Sequence, residues 1–330
     1  MSTDITAFNA DTPLHITPLP DYRILTIHGA DAEAFLQGQF TQDVKATGID
    51  TARLSAYCTA KGRMLASFIF WQSAQPQAPQ ERAYQIMIRS DVAESFTKRL
   101  RMFVLRSKVT VEDTGITALA YWAGSNVIGQ TSLERPDPWQ VAATESSTQL
   151  GLPAIDGIER GILIADAASL ADQAQAGSPE QWAVLDILAG VPWVEKANQE
   201  MFIPQDLNLD AIGAVSFTKG CYPGQEIVAR SHYRGKLKRR MLNGVCDNPP
   251  ASVDNTSEMV TVGTDITDST NTRQPSGQVV NTASVDGRLY LLFEVRLEAA
   301  ENNSLVLGDE NGQPITLLTI PYPLDKPALA

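Results

Sequence analysis

The feature that most constrains this chain is the stretch from Lys219 to Arg240, K-G-C-Y-P-G-Q-E-I-V-A-R-S-H-Y-R-G-K-L-K-R-R, where seven Lys or Arg residues face one acid, Glu226. It is net +6 inside a protein of formal net charge -12. Such a reversal of sign marks a place where an anion can be held. At its head, Lys219-Gly220-Cys221-Tyr222-Pro223-Gly224-Gln225-Glu226 sets a thiol between a lysine and two glycines. Glycine permits positive φ and Pro223-Gly224 favours a tight turn, so Cys221 is expected on a shaped, rigid loop. Lys219 and the downstream cations would favour the thiolate, making Cys221 a nucleophile or a soft-metal ligand. The plain alternative is an inert cysteine buried in a turn, and residue type alone favours it.

A chain of 330 residues exceeds a usual single core, so two or three domains are expected. No apolar run approaches the roughly 18 residues of a membrane span, and Met1 to Pro20 shows no basic, apolar leader. The expected location is cytoplasmic. Cys58, Cys221 and Cys246 are far apart and odd in number, which argues against a disulfide framework. With no C-x-x-C and only His15, His28 and His232, the chain is not expected to carry its own zinc or iron-sulfur site. The acidic balance disfavours indiscriminate nucleic-acid binding, yet leaves room for a local basic face.

Along the chain, Tyr22 to His28 reads as a strand and Asp31 as the N-cap of a helix carrying Ala32, Phe35, Leu36 and Phe40. Strands are expected at Arg53 to Cys58, Met64 to Trp71 and Tyr84 to Arg89, with a Gln- and Pro-rich loop from Ser73 to Gln80. Asp91 can cap a second helix, whose end gathers Lys98, Arg99, Arg101, Arg106 and Lys108 without an acid; a solvated face is the bland reading. Further strands are expected at Ile116 to Trp122 and Gly161 to Ala165. Ser178-Pro179-Glu180-Gln181 is a capping box, with Trp182, Leu185 and Leu188 at helical spacing and Gly190 as the stop. From Cys246 to Pro275 the composition turns to Ser, Thr, Asn and Asp, a linker with short strands. Strands at Gly277 to Ser284, Arg288 to Glu298 and Ile315 to Ile320 follow, with turns at Asp286-Gly287 and Asn311-Gly312. The pattern implies an α+β fold with a small closed β domain from about residue 241.

K-G-C-Y-P-G-Q-E resembles the signature of the YgfZ family, folate-binding proteins linked to iron-sulfur cluster assembly and tRNA modification and related to the glycine-cleavage T-protein. The likeness extends through Phe202-Ile203-Pro204-Gln205, Asn208-Leu209, Val228-Ala229-Arg230 and Arg234-Gly235-Lys236. It also covers Gln37-Gly38-Gln39 with Asp43-Val44, and Ala60-Lys61-Gly62-Arg63. The resemblance implies a three-lobed T-protein-like fold: a folate-binding module over residues 1–240, with about 47–143 inserted as an α+β subdomain, and a C-terminal β-barrel over 241–330. Tetrahydrofolate is the implied cofactor, with Tyr22 and Trp182 in the positions that contact folate. A pterin needs a flat apolar surface and its glutamate tail needs cations, for which Lys219, Arg230 and Arg234 are the expected partners. Without the resemblance, both aromatics read as ordinary packing.

The T-protein has two aspartates after its lysine-glycine turn, one of them essential for methylene transfer. Here the run is Lys61-Gly62-Arg63-Met64-Leu65-Ala66-Ser67-Phe68, so both acids are replaced, by Ala66 and Ser67. Losing a general base or charge stabiliser costs orders of magnitude in rate. The resemblance therefore implies a folate-dependent accessory protein in which Cys221 supports maturation or repair of iron-sulfur enzymes, including those that thiolate tRNA. One alternative is a folate-dependent aminomethyltransferase using another acid, such as Asp43 or Asp206. A second is an RNA-binding module that engages tRNA through the basic 219–240 face.

Overall fold

The computed structural model describes residues 8–74, 82–131, 133, 135–164, 174–234, 237–247 and 260–324, with Arg234 described in its backbone only. Among the described residues there are three sheets and six α-helices: α1 Ala32–Gln37, α2 Ser90–Val104, α3 Ser125–Ile128, α4 Pro179–Leu188, α5 Gln225–Arg234 and α6 Leu297–Ala300. Most of the Ser73 to Gln80 loop, and residues 248–259 of the expected linker, lie outside the described residues.

The five-stranded sheet is antiparallel, in the order Ala52–Cys58, Met64–Gln72, Arg82–Arg89, Tyr22–Gly29, Thr110–Asp113. Its strand Met64–Gln72 is buried on both faces, which explains the nearly unbroken apolar run Met64 to Trp71. Side-chain alternation sends Ile24, Ile69 and Trp71 into the large central core, while Leu25, Ile27, Phe68 and Phe70 face α1 and α2. On that second face Phe40, Phe68, Phe70 and Phe96 form an aromatic cluster with centroids 4.5 to 6.4 Å apart. Ala66 is buried there too.

A six-stranded sheet orders Gln175–Ala176, His15–Pro18, Leu119–Gly124, Ile158–Ile164, Thr148–Ile155 and Val141–Ala143, parallel only in its first pair. The seven-stranded sheet runs Gln313–Pro314, Leu305–Leu307, Asp265–Asp268, Gly277–Val285, Arg288–Arg296, Arg239–Asp247, Thr316–Leu317. Its two outermost strands are separated in sequence only by Ile315. One extended segment thus pairs with both edges, and the sheet nearly closes into a barrel around Val279, Leu291, Phe293 and Leu307.

Signals in the sequence match the structure where the interaction is local. Ser178 and Gln181 form the reciprocal capping box, Pro179 opens α4, and Gly190 turns out of it with φ 63°. The two expected aspartate caps differ. Asp31 makes no cap hydrogen bond and instead accepts from the Lys108 amide at 2.7 Å. Asp91 lies inside the first turn of α2 and accepts from the Lys196 amide at 2.8 Å. Each carboxylate joins a distant segment to its helix.

Candidate ligand cleft and cysteine turn

The expected site residues fall into two groups. Tyr22 and Trp182 meet across one cleft, while Lys219, Cys221 and Arg230 belong to a turn and helix that do not line it. The side chain of Arg234 lies outside the described residues.

The cleft opens between the five-stranded sheet, helix α4 and the barrel, with an empty volume of about 800 Å³ counting the solvent at its mouth. The five-stranded sheet contributes Tyr22 and its cross-strand partner Arg89. Helix α4 contributes Trp182 and Asp186; the segment after it, Trp193 and Glu195; the barrel, Asn281 and Thr282. Tyr22 meets Trp193 edge-on at 4.8 Å, and the Arg89 guanidinium stands 5.1 Å over its ring. Burial and the nearby Asp186 push the Tyr22 phenol up, so it is a neutral hydrogen-bonding group at any working pH.

Charged groups brace this floor. Arg160, fully buried, donates to Asp186 Oδ1 at 2.6 Å and lies 5.2 Å over Trp182, while Trp193 Nε1 donates to Asp186 Oδ2 at 2.8 Å. Burial raises the Asp186 carboxyl against the opposing pull of Arg160. Asn281 locks the Trp193 backbone through two hydrogen bonds of 2.9 Å and donates to Glu195 at 3.1 Å. Arg89 sits 3.6 Å from Glu195. Burial also raises Glu195, again opposed by Arg89.

Not every donor here is used. Trp182 Nε1, Arg89 Nε and Thr282 Oγ1 are buried without a hydrogen-bond partner. Buried polar atoms are normally paired, so an unpaired set around an aromatic cleft suits a flat ligand bearing acceptors. The residues present fit a pterin in this respect: rings for its faces, donors for its edge and Arg89 for an anionic tail.

Ser67, at one of the replaced aspartate positions, is fully buried. Its hydroxyl donates to Pro192 O at 3.0 Å and accepts from the Val194 amide at 2.8 Å. The Ser67 hydroxyl thereby clamps the segment that carries Trp193.

The second group is built from the sequence motifs themselves. Tyr222-Pro223-Gly224-Gln225 closes as a turn, with Gln225 N bonding Tyr222 O at 3.2 Å and Gly224 at φ 83°. A Cβ on Gly224 would stand 2.5 Å from both Gly62 Cα and Thr59 O, so this turn can rest on the Thr59 to Arg63 turn only with glycine in both. Lys219 points inward. Its Nζ donates to the carbonyls of Gln37, Phe40 and Gln42 at 2.6, 2.6 and 3.1 Å and lies 5.2 Å from the centre of the Tyr222 ring. Burial lowers its pKa to about 8. The three segments Gln37 to Val44, Ala60 to Arg63 and Lys219 to Glu226 are therefore one assembled unit. On it, Cys221 is exposed, whereas Cys58 and Cys246 are buried.

Gln225 and Glu226 begin α5, and among the described residues neither side chain hydrogen-bonds the loop amides; glycine packing and Lys219 hold the turn. Arg230 is exposed on α5, as is Tyr233. Among the described residues no group of three or more His, Cys, Asp or Glu could hold a metal ion, and no helix is long and apolar enough to cross a membrane.

Sequence reasoning missed Arg89, Arg160, Asp186, Trp193, Glu195, Asn281 and Thr282. One signal was readable: Asp186 sits four residues after Trp182, an acid on the apolar face of α4 that must find a buried partner.

No family model matches the chain. Among curated proteins, it is 30% identical over 329 residues to the tRNA-modifying protein YgfZ of Sodalis glossinidius, covering 95% of this chain and 94% of that protein. It is 35% identical over 257 residues to the protein of the same name from Yersinia pestis (strain Pestoides F), covering 73% and 74%. Among solved structures, the glycine cleavage system aminomethyltransferase T of Bartonella henselae superposes with a TM-score of 0.67 at 13% identity, over 94% of this chain and 87% of that one. The fold is thus the T-protein fold, α+β with a C-terminal barrel.

Proposed function

This chain belongs to the YgfZ family, and from that premise we propose that it is a tetrahydrofolate-binding accessory protein that supports iron-sulfur cluster assembly or repair, and through it tRNA modification. The observation that carries the reading is the aromatic cleft with its unpaired Trp182 Nε1. In this reading Tyr22, Trp182 and Trp193 hold the pterin, Trp182 Nε1 donates to its edge, and Arg89 receives the anionic tail in place of Lys219. Bound folate would supply a one-carbon carrier. The chain's own part is to grip it and exclude water. With Ala66 and Ser67 where the T-protein acids stand, no carboxylate occupies those positions to activate a transfer. Asp43 and Asp206, the possible substitutes, are held locally: Asp43 by Gln37 Nε2 at 3.1 Å and the Ala46 amide at 3.2 Å, Asp206 by the Ile203 amide at 3.0 Å.

Cys221 supplies the second function. An exposed thiol on a turn fixed by paired glycines is presented to another protein rather than to the cleft, as a redox group or a transient ligand during cluster transfer. Cytoplasmic iron-sulfur enzymes are its proposed partners.

Titration calorimetry with tetrahydrofolate tests the first half. Trp182→Phe, which keeps a ring and removes the donor, is expected to weaken binding roughly tenfold, about the worth of one buried hydrogen bond. Equal affinity in wild type and variant, or no binding at all, refutes the assignment. For the second half, cells carrying Cys221→Ala should lose activity in iron-sulfur enzymes that thiolate tRNA. Full activity there removes the cysteine from the mechanism.

A further inference from the structure

Two cationic stretches stand out in this acidic chain, and the structure treats them differently. Within 219–240, Lys219 is spent on three carbonyls, Arg239 Nη1 donates to both Glu294 carboxylate oxygens at 2.9 and 3.0 Å, and Arg240 is buried against Asp210 at 2.5 Å, while Arg230 and Lys238 are exposed. Around the end of α2, none of Lys98, Arg99, Arg101, Arg106 and Lys108 forms an ion pair among the described residues. Lys98, Arg101, Arg106 and Lys108 are exposed, Arg101 with one nitrogen, Nη2, donating to Val111 O at 2.5 Å and its remaining donors paired with no carboxylate among the described residues.

The same tip exposes apolar side chains. Met102 is 67% exposed, Phe103 45% and Leu105 86%, while the inward face of α2 buries Val92, Ala93, Phe96 and Leu100. Nor is the tip a frayed end. Leu105 turns the chain with φ 44°, Ser107 N bonds Val104 O at 2.7 Å, and Lys108 is clamped to Asp31 through its amide at 2.7 Å. Beside it, between α2 and the strand Tyr22–Gly29, runs a groove with an apolar floor of Leu25 and Ala93 and with Arg23, Lys98 and Arg101 on its walls; Glu94 and Asp113 also line it. Its empty volume is about 1010 Å³ counting open solvent.

We propose that the end of α2 and this groove bind single-stranded RNA, such as a hairpin loop, with phosphates on Lys98, Arg101, Arg106 and Lys108 and unstacked bases against Met102, Phe103 and the groove floor. The ligand must be anionic and must also present flat apolar faces. An acidic peptide meets the first requirement and leaves the apolar tip in water. RNA loops alternate phosphate and base along one strand and meet both. An anionic bilayer also meets both at the tip. It is an extended plane, however, and its charge acts on every part of this -12 protein that comes within a screening length of about 10 Å of it. A loop engages the tip alone. The proposal does not rest on folate binding, and its test is blind to folate.

Fluorescence anisotropy with a labelled RNA hairpin, a blunt duplex of matching composition and unfractionated tRNA decides the matter. The hairpin and tRNA should bind more tightly than the duplex. Replacing three cations together (K98E, R106E, K108E) should weaken hairpin binding at least about tenfold and lower the slope of log affinity against log salt by about 2, since each lost single-strand phosphate contact removes about 0.7. F103A should weaken the hairpin on the order of fivefold, the low end for a stacked base, with the salt slope unchanged. All these side chains are exposed, and an unchanged thermal melt shows that the fold survives. The proposal is overturned if no RNA binds at low salt, if the triple variant binds as wild type does, or if R230E alone abolishes binding. It is equally overturned if anionic vesicles, and not RNA, bind in a manner the triple variant loses.

Discussion

Lys219 illustrates how one side chain can replace a stretch of secondary structure. The segment from Gln37 to Gln42 turns three carbonyls toward the interior, where no strand or helix receives them, and a single ammonium satisfies all three. Lys219→Met keeps the aliphatic length and strands those oxygens, so urea unfolding should show a loss of about 2–4 kcal/mol. Glu294 gives a prediction in pH. Burial raises its carboxyl from 4.5 to about 7, so between those values the folded state holds a proton that the unfolded state has released. Stability from this group is complete below about pH 4.5 and is lost as pH rises through 7. Asp186, Glu195 and Asp206 shift in the same direction and add to the slope. A melting series from about pH 5 to pH 8 should therefore fall, and Glu294→Gln should make that fall shallower.

Among the elements, α4 was readable and α5 was not, for reasons visible in their residues. The signals for α4 are contiguous: Ser178 caps, Pro179 opens, Gln181 returns the hydrogen bond, and Trp182, Leu185 and Leu188 mark the buried stripe. Ser178→Ala should cost about 1 kcal/mol, measured by chemical unfolding, and loosen the helix that carries Trp182 and Asp186. Helix α5 starts inside a glycine turn and buries Val228 and His232, the latter stacked on Phe217 at 3.7 Å. A histidine does not advertise an apolar stripe, so the sequence of Gln225 to Arg234 carries no clear helical signal. The cleft shows the same division. Tyr22 and Trp182 could be singled out by resemblance, but Arg89, Trp193 and Asn281 come from three separate stretches and meet only when the sheets assemble. Their convergence is a long-range fact, and short sequence windows do not contain it.

In the whole molecule, the sheets are held in register by a few contacts that cross between them. Tyr322, near the C-terminal end of the described chain, donates to Gly190 O at 2.8 Å beyond α4 and receives Asn208 Nδ2 at 3.3 Å. Tyr322→Phe deletes both bonds while keeping the ring, and should lower the midpoint of thermal unfolding by an amount equivalent to about 1 kcal/mol. The segment just before it, Gln313 to Leu317, is the one that pairs with both margins of the seven-stranded sheet. Until Gln313 to Leu317 has docked, this lobe displays two open strand margins at once, each free to pair with another chain. Such an unshut lobe is a natural target for chaperones and proteases, so the docking of one five-residue segment decides whether this end of the molecule aggregates or survives.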